Sequence, residues 1–323
     1  MLGMEPIVSQ TNAPAQSDFG RLTPLMALQL AAPHTWPAAI LPALIALCCA
    51  VAQGCRISAT MAVVLLAICI LMQSAVNTFN DYFDYVNGSD SADDNVDPTD
   101  AVLVYNNVDP RSAKRLAIGF LVAAFALGAY VIACAGWIPL AIGIVGALVV
   151  VLYSAGKTPI SYLPIGELAS GFVMGGLIPL ACYQALSGTF DPLMLLWALP
   201  AIIGVGLIML TNNTCDVEKD IEAGRKTLPV ILGRDSARRL YHALVWLWLA
   251  AIAVLVGVWF TAGLIVLVFM LAACIPLLKA LLSNPLAPAS RIGAMAQVCS
   301  VNIALGAFYA AAILAGGCLD LAL

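Results

Sequence analysis

Nine apolar runs, each long enough to cross a lipid bilayer as a helix, dominate this sequence. A hydrocarbon core about 30 Å thick needs roughly 20 apolar residues in helical form. Runs of that order lie near residues 30–51, 58–80, 115–135, 138–154, 165–186, 193–213, 240–260, 262–282 and 293–315. The third and fourth are parted by nothing more than Ala135-Gly136-Trp137, which predicts a tight hairpin rather than one long helix. Backbone polar groups in lipid must be paired within their own segment, so such runs read as helices. Of the 323 residues, 62% are hydrophobic and 10% charged, against about 25% charged in soluble domains. No soluble core absorbs that much apolar surface. The fold class is therefore an all-α polytopic membrane protein. Residues 1–27 are polar, with Arg21 their one basic residue; no cleavable leader is expected there.

The basic residues orient the bundle. Loops that face the cytoplasm carry an excess of Lys and Arg. With nine spans, thirteen of the fourteen basic residues fall on the side of the N-terminus, and Arg56 alone falls on the other. This predicts a cytoplasmic N-terminus and a C-terminus on the opposite side of the cell membrane. Prolines add irregularity. Pro33, Pro37 and Pro42 should kink the first span or delay its start, and Gly175-Gly176 with Pro179 should do the same in the fifth. Such breaks are tolerated where helices line a cavity. Ten cysteines lie mostly within apolar runs with no C-x-x-C pair; they read as small buried hydrophobes, without zinc or a disulfide framework.

Two polar stretches close apolar runs on the cytoplasmic side. If the second helix continues past its run, Asn77, Asn80, Asp81 and Asp84 fall at i, i+3, i+4 and i+7, on one face. Asn212, Asp216 and Asp220, at i, i+4 and i+8, form a second face, with Asn213 beside it. A closed bundle would bring both to one end of a central cavity open to the cytoplasm. Solvated loop starts explain such residues less well, because Asn recurs with Asp in both places. Carboxylates with amide oxygens are hard ligands suited to Mg²⁺, which commonly bridges substrate phosphates. Lys157, Arg225 and Lys226 lie on the same side, where together they would complete a diphosphate clamp. A transporter that coordinates its ion through the same groups is the competing class. It would place them near the midplane, whereas here they sit at span ends.

Asn80-Asp81-x-x-Asp84, followed by Gly88-Ser89-Asp90, resembles the first aspartate-rich motif of the UbiA superfamily of intramembrane prenyltransferases. Asn212-Asn213-x-x-Asp216-x-x-x-Asp220, with Gly224-Arg225-Lys226-Thr227-Leu228 after it, is similar to the second. Tyr153-x-x-x-Lys157 and Pro33-His34-Thr35-Trp36-Pro37 are similar to further family elements. The resemblance covers about residues 30–315, and the second motif is most similar to that of the 1,4-dihydroxy-2-naphthoate polyprenyltransferases. It implies a single membrane domain over 28–318. It also implies metal binding by Asp81, Asp84, Asp216 and Asp220, which with Lys157 are the catalytic set. Asn77, Asn80, Asn212, Asn213, Tyr153, Arg225 and Lys226 would then bind substrate. The implied cofactor is Mg²⁺. The implied partners are a polyprenyl diphosphate, an aromatic acceptor and the bilayer, with no nucleic acid. Dihydroxynaphthoate, in menaquinone biosynthesis, is the expected acceptor; 4-hydroxybenzoate, haem or a chlorin are alternatives. Ala32 and Cys215 stand where the family pattern has Arg, and 97–105 lacks basic residues usual in the naphthoate enzymes. These departures bear on the acceptor. Glu167 reads either as a group that orients the acceptor or as a helix cap.

Overall fold

The computed structural model describes residues 19–87, 102–154, 158–317 and 321–322. Its first passage is broken, as the prolines predict. The segment Pro24–Thr35, made of helix α1 (Pro24–Leu30) and a 3₁₀ turn at Pro33–Thr35, meets helix α2 (Pro37–Ala52) at an angle of 54°. Ala32, just before the turn, takes φ 46°, a left-handed conformation that non-glycine residues rarely adopt. The break frees carbonyls, and α3 (Ala59–Asn87) satisfies them from the side. Asn77 Nδ2 donates to Ala31 O at 3.1 Å and Thr78 Oγ1 to Leu30 O at 3.1 Å.

Helix α3 runs unbroken through the whole first Asn/Asp stretch, so its expected face forms. A short α4 (Val102–Asn106) precedes α5 (Pro110–Ala135), whose N-cap Asp109 accepts from the Arg111 amide. The predicted hairpin follows: Gly136, at φ 79°, ends α5, and α6 (Ile138–Ser154) turns back.

The fifth run forms α7 (Gly166–Phe172), a π-helical turn at Val173–Leu177 and α8 (Ile178–Ser187), continuous as one span. The irregularity read from Gly175-Gly176 and Pro179 thus takes the form of a widened turn. Next come α9 (Leu193–Trp197) and α10 (Leu199–Cys215). Helix α10 does not continue through the second motif. It stops at Cys215, Asp216 is the link, and α11 (Val217–Glu222) resumes. The hydrogen bonds Asp216 N to Asn212 O and Asp220 N to Asp216 O, at 3.1 and 2.8 Å, nevertheless keep the helical spacing. Then follow α12 (Leu228–Leu232), α13 (Arg234–Trp259), α14 (Leu264–Ser283) and α15 (Arg291–Leu314).

Among the described residues, six helical segments are long and apolar enough to cross a membrane, seven when the bent α1–α2 pair counts as one. Helices α6 and α10, 17 residues each, are apolar but shorter than a full span. Nine full-length helices are therefore more than the lengths alone provide.

Helix α10 lies at the centre, packed against α7, α13 and α15. Close approach to α7 and to the π-helical turn after it depends on glycine. A Cβ on Gly171 would stand 2.6 Å from Ile202 O, and one on Gly175 would stand 2.5 Å from Ala201 C. Small residues at such crossings are how membrane helices approach closely. No disulfide joins the cysteines among the described residues. Two strand pairings lie near the limits of the described residues. Gly20 bridges to Val108 beside the α4–α5 loop, while β1 (Ile57–Ser58) pairs in parallel with β2 (Leu321–Ala322) at the α2–α3 loop. The two pairings thus sit near opposite ends of α3, β1 just before it and Val108 beyond it.

Candidate active site

A cavity of about 1490 Å³ runs between the helices. Its walls are mostly apolar, with Leu65 and Met72 of α3, Val173 and Met174 of the π turn, and Met209 of α10 among them. One end is polar. There α3 contributes Asn77, Asn80, Asp81 and Asp84, and the α10–α11 segment contributes Asn212, Asp216, Lys219 and Asp220. The two Asn/Asp faces, some 130 positions apart in sequence, line the same space. Tyr153, Arg225 and Arg291 border the same end.

The individual environments differ. Asp81 is 7% exposed; its Oδ2 accepts from Val102 N at 2.7 Å and its Oδ1 from Leu103 N at 3.2 Å, which anchors the start of α4. Asn77 donates to Thr35 Oγ1 at 2.7 Å as well as to Ala31 O, and accepts from Gln73 Nε2 at 3.2 Å. Its amide thereby fixes the α1–α2 bend. Asp220 is buried, accepting from Thr227 Oγ1 at 3.0 Å and from Arg225 Nη1 at 3.4 Å. Burial pushes its carboxyl above the usual aspartate range, and the Thr227 hydroxyl and the Arg225 guanidinium oppose that shift. Arg225 also lies over the Tyr162 ring, 4.8 Å from its centroid. A planar guanidinium stacks well on an aromatic face, so this cation is held in place.

Asn213 points elsewhere. Its Nδ2 donates to Glu167 Oε1 at 2.8 Å, and neither side chain lines the cavity. Glu167, 6% exposed in the first turn of α7, ties that helix to α10. Lys226 is exposed and off the cavity wall; its backbone N–H donates to Tyr162 O at 2.8 Å. Lys157 lies outside the described residues. His34 borders the cavity and His242 does not.

Two arginines absent from the sequence-level site matter to its shape. Arg234 donates to Thr214 O, Cys215 O and Leu286 O and forms a two-pronged pair with Glu218, whose pKa it lowers. It fastens the end of α10 to the α14–α15 loop. Arg291, the first residue of α15, reaches Asp216 through Nε at 3.0 Å and Asn212 Oδ1 through Nη2 at 2.7 Å. The available sequence signal was a cation in the first turn of a helix, where the dipole disfavours it.

The profile of the UbiA prenyltransferase family matches residues 39–295 of the chain. The chain belongs to the UbiA prenyltransferase family. It is 30% identical to the 1,4-dihydroxy-2-naphthoate octaprenyltransferase of Bacillus subtilis, over 76% of this chain and 80% of that one. The Escherichia coli enzyme of the same name is 28% identical over 54% of this chain and 57% of its own. The UbiA fold is also seen in solved structures. A UbiA homologue from Archaeoglobus fulgidus bound to DMAPP and Mg²⁺ superposes with TM-score 0.58 at 18% identity, covering 90% of this chain and 99% of that one. The apo UbiA homologue from Aeropyrum pernix K1 gives TM-score 0.62 at 17% identity, over 90% and 98%. Membership of the UbiA family makes the chain a prenyltransferase and sets the transporter reading aside.

The polar end of this UbiA cavity fits a hard divalent cation. Its donors are carboxylate and amide oxygens, the chemistry that Mg²⁺ prefers. Among the described residues no three acidic, histidine or cysteine groups converge into a ready-made cage.

Proposed function

We propose that this chain transfers a polyprenyl group from polyprenyl diphosphate to 1,4-dihydroxy-2-naphthoate, a step of menaquinone biosynthesis, with Mg²⁺ as cofactor. The observation that carries the reading is the pair of Asn/Asp faces at one end of a long apolar cavity. The similarity to the Bacillus subtilis enzyme supports the acceptor. Bound Mg²⁺ would neutralise the diphosphate as it departs. Asp84, Asp216 and Asp220, with the amide oxygens of Asn80 and Asn212, would hold it. Asp81 sets the first face by fixing α4, and Asn77 does so by holding the α1–α2 bend. Asn213 acts through Glu167, keeping α10 in register with α7. Arg225, with Lys157 and Lys226, would pair with diphosphate oxygens, and Tyr153 borders the same end.

The bond between the allylic carbon and the diphosphate oxygen breaks with its electron pair on oxygen. The apolar walls take the isoprenoid tail and keep water from the allyl cation. The ring carbon bearing the carboxylate attacks, and CO₂ leaves. The electron pair of the broken C–C bond restores the aromatic ring, so no residue is required to remove a ring proton. A panel of acceptors incubated with membranes, polyprenyl diphosphate and Mg²⁺ tests this by product mass. Prenylated dihydroxynaphthoate with loss of CO₂ is the expected product; a prenylated 4-hydroxybenzoate instead would move the acceptor assignment. Arg225→Ala should slow every acceptor by a similar factor, because departure of the diphosphate precedes ring attack. A changed ranking of acceptors would take Arg225 off the donor side.

The same reading makes residues 28–318 one domain of the plasma membrane with nine crossings, in which α6 and α10 are short passages and α1–α2 a broken one. The N-terminus and the polar end of the cavity would face the cytoplasm. The placement of Gly20 and of Leu321–Ala322 near opposite ends of α3 supports an odd number of crossings between them. A reporter fused after Leu323 should be active on the far side of the membrane. Cytoplasmic activity of that fusion would remove one crossing.

A further inference from the structure

The loop that carries Arg291 is fixed by its own hydrogen bonds. Asn284 Oδ1 accepts from Leu286 N and from Ser290 Oγ, both at 2.9 Å, and Arg234 Nε donates to Leu286 O at 3.1 Å. The backbone that carries Arg291 is therefore tied both to itself and, through Arg234, to the end of α10. The side chain then reaches back across the cavity end, its carboxylate contact 82% shielded on the arginine side and 83% on the aspartate side (18% and 17% exposed). It takes one oxygen from each of two residues, Asp216 and Asn212, four apart on the second face. These are oxygens that the proposed Mg²⁺ would need.

A guanidinium and a divalent cation compete for such oxygens, and a guanidinium also matches phosphate with two parallel N–H bonds. The site sits at the first turn of α15, where a cation is disfavoured by its own helix and an anion is favoured. We propose that Arg291 is a stand-in cation for the second acidic face. It holds Asp216 and Asn212 apart from other partners while no metal–diphosphate is present, gives up those oxygens when the complex arrives, and turns its guanidinium to the diphosphate. This rests on the metal and diphosphate reading above and adds a residue to it. Metal alone is then resisted, and metal with diphosphate is accepted, so binding of the two is cooperative.

The test uses the full chain in detergent, with Mn²⁺ as a spectroscopic substitute for Mg²⁺ and inorganic pyrophosphate as the anion. Arg291→Gln should bind Mn²⁺ alone about tenfold more tightly than the parent, and Mg²⁺-pyrophosphate about tenfold more weakly, the scale of one charge-assisted contact. Arg291→Lys, which keeps the charge but loses the planar fork, should fall between the two on both measures. A role as a mere brace between α10 and α15 predicts instead that Arg291→Gln weakens Mn²⁺ binding or leaves it unchanged, and either result overturns the proposal. Unchanged pyrophosphate affinity overturns it as well, while leaving the metal site standing. If parent and variants all fail to bind Mn²⁺ even with pyrophosphate, the metal reading itself falls and this proposal with it.

Discussion

Replacing Asp84 by asparagine is expected to cut prenyl transfer by about 10²–10³-fold, the scale seen when one preorganised electrostatic contact to a reacting group is lost, while the protein still folds. Asparagine keeps the shape and one oxygen but removes the charge. Asp84 lines the polar end of the cavity and is partly exposed, so the fold does not depend on burying it. Asp81 would be a poorer choice, because both of its oxygens serve the backbone of α4. Asp216→Asn should lose activity on the same scale, but it also leaves Arg291 facing a neutral partner and so mixes in a structural effect. Product mass at saturating donor and Mg²⁺ is the measurement. Activity of Asp84→Asn within a few-fold of the parent would take this residue out of the site.

Gly175→Leu is expected to remove folded protein altogether. The atoms that a side chain would strike at Gly175 are backbone atoms of Ala201 and Ile202, so no rotamer change relieves the clash. The span formed by α7 and the π-helical turn would have to part from α10, and the Glu167–Asn213 hydrogen bond spans the same seam. Overpacking costs about 1–3 kcal/mol even where neighbours can shift, against a net stability of order 5–15 kcal/mol. Against immovable backbone the cost rises further. Gly119→Ala, with nothing within 4 Å of the added carbon, is the control and should leave the yield of monodisperse protein unchanged. Recovery of Gly175→Leu at parental yield in a detergent extract would show that the two helices are not packed this closely.

Much of this architecture is legible in the sequence because it repeats at a known period. The i, i+3, i+4, i+7 spacing from Asn77 to Asp84 places those side chains together on α3, and the helix does run on to Asn87. The same arithmetic separates Asn212 from Asn213. One residue turns a helix by about 100°, so when Asn212 faces the cavity its neighbour faces α7. Long-range partners carry no such signal. Asn77 is engaged by Thr35 and Ala31, Asp81 by the amides of α4, and Asp216 by an arginine 75 positions away. The end of α10 at Cys215 was also hidden, because the hydrogen-bond spacing survives the break.

The widened turn at Val173–Leu177 holds one residue more than an α-helix would need there. Everything downstream is therefore rotated by about 100° from where an uninterrupted α-helix would have set it. Upstream, Gly171 meets the backbone of α10; downstream, Tyr183 packs edge-on against Trp197 with ring centroids 6.2 Å apart, and Cys182 borders the cavity. An uninterrupted α-helix would satisfy one of these sets and misdirect the other. The surplus residue works as a spacer in angle rather than in length, so a one-residue deletion in this turn would be a reassignment of faces, not a shortening of the span.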